Sequence, residues 1–383
     1  MRMLRIILPL IFLIVVSCKK EAPEAPAEKV VIEIPDDADS SCLVDCWRAK
    51  GVYILNEGLF NMNNTTLAYL DTDSGTVDQT YFESVNSRGL GDTGNDLLAY
   101  GSKGYVTVNH SNKLEVFELS TGKTLAQIPL FAGLKGRSPR NMASYKNFIL
   151  VTCFDGTLGV IDTTSLQVDK FIKVGRNPEA VAVVGDKAFV SNSGGLDAPD
   201  YDSTVSVVDL ISRKELSRIN VGINLGNITA DSQGDLYVIA RGNYQDVSPK
   251  LYRIPFLDTI AIEVPGVEAS GLIISEDVLY LTYYDFNSKV SNVSTYDAIN
   301  EQLIESNFID GKQFETLAAI GVDTTTNWVY CGDSHGFVNT GEVLVFDDKG
   351  QYQYRFESGL NPNSFAFNYN QLKTTIPNSK DDE

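Results

Sequence analysis

Positive charge is what this sequence lacks most. Its 383 residues carry 31 Lys and Arg against 50 Asp and Glu, giving a formal net charge of −19 and a pI near 4.5. Phosphate contacts need clustered Lys and Arg, and no basic stripe breaks the acidic background, so a nucleic-acid binder is excluded. Histidine is almost missing: His110 and His335 are the only two, which leaves little material for a metal cluster or a histidine-based relay. The one long apolar run, Ile6 to Val16, has eleven residues and falls short of the ~20 that span a bilayer. What is abundant is apolar and turn-forming: 43% hydrophobic residues, 30 Gly, 18 Tyr and 18 Phe. That composition belongs to a folded chain of strands and turns, long enough for a sizeable core.

The first residues read as an export signal. Arg2 and Arg5 precede the apolar run, whose length suits a signal h-region. The run ends Val15-Val16-Ser17-Cys18, which resembles the lipobox of bacterial lipoproteins; the resemblance implies cleavage before Cys18 and acylation of that residue, the alternative being an ordinary secretory signal. Loss of residues 1–17 removes two positive charges, so the mature charge is 29 − 50 = −21. Anionic headgroups repel such a chain, so the membrane is expected to hold it through the lipid alone. Lys19 to about Asp39, rich in Glu, Pro and Ala, reads as a tether with too little apolar surface to order itself. Within 18–50, Cys42 and Cys46 form a close pair. An oxidising compartment permits a disulfide there; free thiols or a metal pair are the alternatives, although no further ligands stand at suitable spacing.

From Gly51 the sequence repeats. A short apolar strand ending in an acidic turn recurs as Leu67-Ala-Tyr-Leu-Asp71, Leu114-Glu-Val-Phe-Glu118, Leu158-Gly-Val-Ile-Asp162, Val205-Ser-Val-Val-Asp209, Leu251-Tyr-Arg-Ile-Pro255, Val293-Ser-Thr-Tyr-Asp297 and Val343-Leu-Val-Phe-Asp347. Successive copies are 42 to 50 residues apart (255 to 297 and 297 to 347 are the extremes). A second strand precedes each copy, as in Val52-Tyr-Ile-Leu55 and Tyr105-Val-Thr-Val108. An innermost strand precedes that, as in Glu179-Ala-Val-Ala182, and a more polar fourth strand follows each turn, as in 123–129. Four strands per period of 40–50 residues is the mark of a propeller blade. The sequence therefore predicts an all-β, seven-bladed β-propeller over 51–369, with four antiparallel strands per blade and a polar tail at 370–383. Gly51 starts on a second strand, and Asn361-Pro-Asn-Ser-Phe-Ala-Phe367 has the innermost pattern with nothing after it. The C-terminal strand is thus expected to complete blade 1 and close the ring, which removes an exposed edge.

The repeat also carries a family resemblance. Asn177-Pro-Glu-Ala-Val-Ala-Val183, Ala188-Phe-Val-Ser-Asn-Ser193 and Val205-Ser-Val-Val-Asp209 resemble the YVTN/YncE-type propellers. With the lipobox, the tether and Gly51-Val-Tyr-Ile-Leu-Asn-Glu-Gly58, the chain looks like the surface lipoproteins of that class in Bacteroidetes. The resemblance implies an outer-membrane, cell-surface protein that binds cobalamin (vitamin B12) or a related corrinoid and passes it to a TonB-dependent transporter, with no cofactor of its own.

In a propeller, the loops leading into the innermost strands and those joining second to third strands share one face around the channel. On that face the sequence puts Asn56, Glu57, Phe60, His110, Arg140, Phe154, Asp155, Glu179, Arg241, Asn243, Tyr244, Tyr284, Phe286 and His335. Aromatic planes mixed with amides and charges suit a large amphipathic ligand. Two other classes stay open: a propeller lyase or hydrolase using His110 and His335 with Glu57, Asp96, Asp155, Glu179 and Asp333, and an adhesive or scaffold propeller. Asp71-Thr-Asp73-Ser-Gly75 is read as a turn, since it lacks the later ligands of a calcium loop. Cys153 and Cys331 lie in blades 3 and 7 and are expected to be buried thiols.

Overall fold

A computed structural model describes residues 29–34, 47–285 and 288–371. The four strand types owe their form to where each sits in a blade. Third strands are buried on both faces: Lys113–Glu118, Thr157–Asp162 and Thr204–Asp209 each bury four consecutive residues, apolar or glycine except Glu115 and Ser206. A strand covered on both sides by neighbouring sheets needs such a run, not an alternation. Outer strands such as Gln167–Lys173 and Lys214–Asn220 are largely exposed and correspondingly charged. This inside-to-outside gradient, repeated along the chain, sets strand order within each sheet.

Seven sheets result. Blades 2 to 7 are meanders of four antiparallel strands, starting with innermost strands Gly94–Tyr100, Pro139–Tyr145, Pro178–Val184, Leu225–Ala230, Gly271–Ser275 and Leu317–Val322. Blade 1 takes its innermost strand from the other end of the chain. Pro362–Gln371 pairs antiparallel with Trp47–Asn56, with Phe365 opposite Ile54 and Ala366 opposite Tyr53. The expected closure is therefore the observed one. Glycine in blade 7 makes room for the closing strand: a Cβ on Gly321 would come within 2.7 Å of the Cβ of Phe365.

Seven apolar clusters hold the ring, one at each blade–blade interface. Tyr53, Leu55 and Leu67 of blade 1 meet Val106 and Phe117 of blade 2, and the pattern continues round to Tyr330 and Val345 of blade 7 packed on Val52 and Ile54 of blade 1. Cys153 and Cys331 are buried free thiols within these layers, as expected. One short helix, Tyr81–Asn86, connects blades 1 and 2 and inserts Phe82 between them. No helix among the described residues is long and apolar enough to cross a membrane.

Two local features differ from the sequence reading. Val30–Val31, assigned to the tether, form a fifth strand on blade 1 opposite Val77 and Thr76. The open edge of Thr76–Asp78 supplies the backbone partners, and Ile32 and Ile34 pack on the adjacent core cluster. The loop between blades 2 and 3 also contains its own hairpin, Phe131–Ala132 with Lys135–Gly136. Cys18, Cys42 and Cys46 lie outside the described residues, as does Phe286.

Candidate functional site

The two ends of the ring are built differently, and the end that gathers the second-to-third loops is the irregular one. In six of the seven blades the innermost strand carries a β-bulge as it leaves the channel mouth. The register skips Asn363, Asn95, Arg140-Asn141, Glu179, Gly226-Asn227 and Ala318 in turn. A bulge leaves its extra residue outside the ladder and re-aims its side chain. Here it frees a polar residue at the mouth in blades 1 to 5.

Those freed residues meet across blades. Glu179 (blade 4) accepts from Arg140 (blade 3) at 2.6 Å and from Arg241 (blade 5) at 3.2 Å on the same oxygen, Oε1. Burial pushes the Glu179 carboxyl up, but the two guanidinium groups outweigh it and hold the group at about 2. Arg241 moves in the complementary sense: burial disfavours its charge, and Glu179 more than restores it. Beneath Arg140 lies the ring of Phe154, 4.6 Å from the guanidinium carbon, a cation–π contact. Asp96 (blade 2) accepts the backbone N–H of Met142 at 2.8 Å and lies 3.2 Å from the Ser364 hydroxyl of blade 1. Burial raises its carboxyl to about 6, against the opposing pull of those hydrogen bonds and Arg140. Glu57, in the blade 1 loop, is likewise raised by burial and partly countered by Arg140. The mouth is thus a mutually neutralised group of two cations and three carboxylates, two of which hold protons more tightly than usual.

It also has unused hydrogen-bonding capacity. Asn363 Oδ1, Asn95 Oδ1 and Arg140 Nε are buried without a partner among the described residues. All three belong to bulge residues, in the adjacent blades 1, 2 and 3. Buried polar atoms in a folded protein are nearly always paired, so three together call for an explanation.

The remaining predicted residues fall into three groups. Phe60 is exposed and sets its ring 4.6 Å from that of His110, edge to face, on the rim. Tyr244 is exposed in the blade 5 loop, and Tyr284 lies 6.4 Å from Phe337 of blade 7. Asn56 and Asn243 are builders of the scaffold. Asn56 is fully buried and bonds Thr66 and Ser358, while Asn243 Oδ1 caps the backbone N–H groups of Gln245, Asp246 and Val247. Asp155 pairs with Arg137. His335 sits in blade 7 beside Asp333 and Glu342, apart from the Glu179 group. Phe154 also lines a cleft of about 660 Å³ between blades 3 and 4, whose walls carry Arg137, Lys173, Arg176 and Arg218. The sequence reading placed Asn363 on this face, at the entry to an innermost strand, but singled out neither this cleft nor the bulge amide Asn95. Their only sequence signal is a polar residue at the start of an otherwise apolar inner strand.

Fold and mouth together define a seven-bladed propeller closed by its C-terminal strand, with one irregular, polar end. The sequence matches, over residues 50–351, the family described as "Domain of unknown function (DUF5074)", and the chain belongs to that family. Among curated proteins nothing matches. Among solved structures, a quinonprotein alcohol dehydrogenase-like protein of Bacteroides thetaiotaomicron is similar at a TM-score of 0.60 and 16% identity, over 83% of this chain and 78% of that one. A hydrazine synthase of Kuenenia stuttgartiensis is similar at a TM-score of 0.59 and 14% identity, over 74% and 96% of the two chains. The computationally designed Ika8 protein is similar at a TM-score of 0.55 and 15% identity, over 82% and 90%. At such identities these likenesses concern the fold alone.

Proposed function

We propose that this protein is a lipid-anchored binding module of the outer-membrane surface that captures cobalamin or a related corrinoid at the irregular end and hands it to a TonB-dependent transporter. The observation that carries the reading is the channel mouth. Arg140 and Arg241 both pair with Glu179, and Arg140 also lies in the field of Asp96 and Glu57, so neither guanidinium stands unpaired to select an anion. What it offers is hydrogen bonding, through the half-buried side chains of Asn363, Asn95 and Arg140, whose unpartnered atoms reach a ligand by turning outward. The exposed rings of Phe60 and Tyr244 stand on the surrounding loops. A large neutral ligand edged with amides matches such a surface: its amides pair with the bulge residues and its apolar faces cover the rings. The anchor at Cys18, the transporter and the corrinoid itself come from the sequence resemblance.

The test is direct. Cyanocobalamin titrated into the purified full chain gives saturable heat, and the coloured complex co-elutes on gel filtration. Absence of both removes the ligand assignment. Tyr244→Ala and Phe154→Ala each weaken binding by about 10-fold, from lost stacking; unchanged affinity in both moves the site elsewhere. One observation favours a second reading, a propeller lyase or hydrolase. The Asp96 carboxyl is raised to about 6, which is the range of a proton-transfer group working near neutral pH. Turnover of a candidate substrate that Asp96→Asn abolishes, without loss of fold, would favour that enzyme.

A further inference from the structure

We infer that blade 7 carries a divalent transition-metal site built from His335, Asp333 and Glu342. The three residues come from one corner of the blade. Asp333 ends the second strand, His335 opens the following loop, and Glu342 lies on the third strand directly opposite Asp333 in register. Their ligand atoms all lie within 4.8 Å of one another. His335 Nε2 is 3.3 Å from Glu342 Oε1 and 3.7 Å from Asp333 Oδ2. The first separation is long for a hydrogen bond and the second is too long. Both suit donors that share a metal. Donors about 2.0–2.1 Å from a tetrahedral zinc ion stand roughly 3.4 Å apart.

The surroundings fix the donors. Asp333 is buried, and its carboxylate is held by three backbone N–H groups, those of Glu315, Thr316 and His335, at 2.7, 2.8 and 3.1 Å. Such outer hydrogen bonds orient a ligating carboxylate before the metal arrives. Oδ1 already accepts two N–H groups, whereas Oδ2, the atom nearest the imidazole, accepts that of Glu315 and keeps a lone pair for a metal. One neighbour opposes binding: Arg355 Nη1 is 3.5 Å from Glu342 Oε1. Its side chain is 61% exposed, free to swing into solvent when a cation takes its place. One imidazole with two carboxylates selects a zinc-class ion over calcium, which prefers an all-oxygen shell. Three protein ligands leave a fourth position open to water or an incoming donor.

The experiment uses the full chain without a metal-binding tag and with Cys42 and Cys46 replaced by Ser. Zn²⁺ is titrated in competition with a chromophoric chelator, and Co²⁺ serves as the optical probe. The expected result is one saturable equivalent and visible d–d bands for cobalt. His335→Ala weakens Zn²⁺ by at least about 100-fold and removes the bands. Because His335 occupies a left-handed turn (φ 43°), Glu342→Gln, a near-isosteric change at a strand residue outside the left-handed region, serves as the second variant. It keeps the metal-free melting temperature of the parent and loses the same bands. Failure of the parent to saturate below about 100 µM Zn²⁺, or equal affinity in the parent and both variants, overturns the site.

Discussion

At one end of the propeller the turns between third and fourth strands repeat a single device; at the other, no two loops are alike. On the regular end, Asp71, Asp162, Asp297 and Asp347 each turn an oxygen onto the backbone N–H two residues on, at 2.9 to 3.0 Å. Asp209 makes the related bond one residue further on, to the N–H of Ser212. This is the local Asx turn, which needs nothing from the rest of the molecule. The calcium-like Asp71–Gly75 stretch is one of these turns, with Asp71 also accepting from Ser74. Blade 5 departs from the rule, since Pro255 replaces the acid. There Asp235, from the neighbouring turn, takes over and accepts the N–H of Phe256 at 2.6 Å. On the irregular end, by contrast, the groups that matter reach across blades. Glu179 has no strong partner in its own sheet and binds Arg residues from the blades on either side. The contrast teaches that repetition marks what each blade does for itself, while departure from the repeat marks what the ring does as a whole.

The largest expected effect comes from breaking the ring. A chain ending at Leu360 loses the whole strand that pairs with Trp47–Asn56. It leaves Tyr53, Ile54 and their neighbours on an open sheet edge. We expect no cooperative thermal transition and loss of the near-ultraviolet dichroism. A truncated chain that melts like the parent would show that closure is dispensable.

Next come the two carboxylates of the mouth, which should respond to pH in opposite directions. Glu179 has a folded value of about 2, below its ordinary 4.5. Its contribution is therefore complete above pH 4.5 and is lost as the pH falls towards 2. Glu179→Ala leaves two guanidinium groups without their counter-ion and should cost about 3 kcal/mol at pH 7, read from denaturant unfolding. Asp96 has a folded value of about 6, above its ordinary 3.8. The folded state there holds the proton that the unfolded state releases, so stability falls as the pH rises from 3.8 to 6. Asp96→Asn should remove that loss, gaining at most about 3 kcal/mol at pH 7. Melts at pH 4, 5, 6 and 7 check both signs, and a common response would sink the distinction between the two groups.

The smallest effect belongs to the regular end. Asp209→Ala removes one exposed local turn bond. It should lower the melting temperature slightly and leave cyanocobalamin titrations unchanged. A change in ligand affinity would mean that the two ends are coupled.

Much of this architecture was legible in the residues. The seven strand-and-turn repeats, six of them ending in an acid, fixed blade count, the mostly apolar third strands fixed which strands lie inside, and the leftover pattern at Asn361–Phe367 fixed closure. Glu179, Arg140, Arg241 and Phe154 were legible as residents of one face. Their convergence was not, because it depends on bulges that leave no periodic trace and on contacts between residues 39 and 62 positions apart. Asn56 and Asn243 show the opposite error. Both stand at positions of the right kind, yet Asn56 bonds the side chains of Thr66 and Ser358, and Asn243 caps the backbone of its own loop. The short strand at Val30–Val31 was hidden for a related reason: a two-residue pairing has no period to detect, and only the open edge of blade 1 selects it.

By itself the sequence determined an all-β ring of seven blades, the strand that closes it and the face on which its loops gather, because strand periodicity and Asx turns are local and repeat. Only the tertiary structure decided which side chains meet at the mouth and that Asp333, His335 and Glu342 share a corner of blade 7. Bulges and cross-blade contacts are set by how finished sheets pack against one another, and no local pattern encodes that.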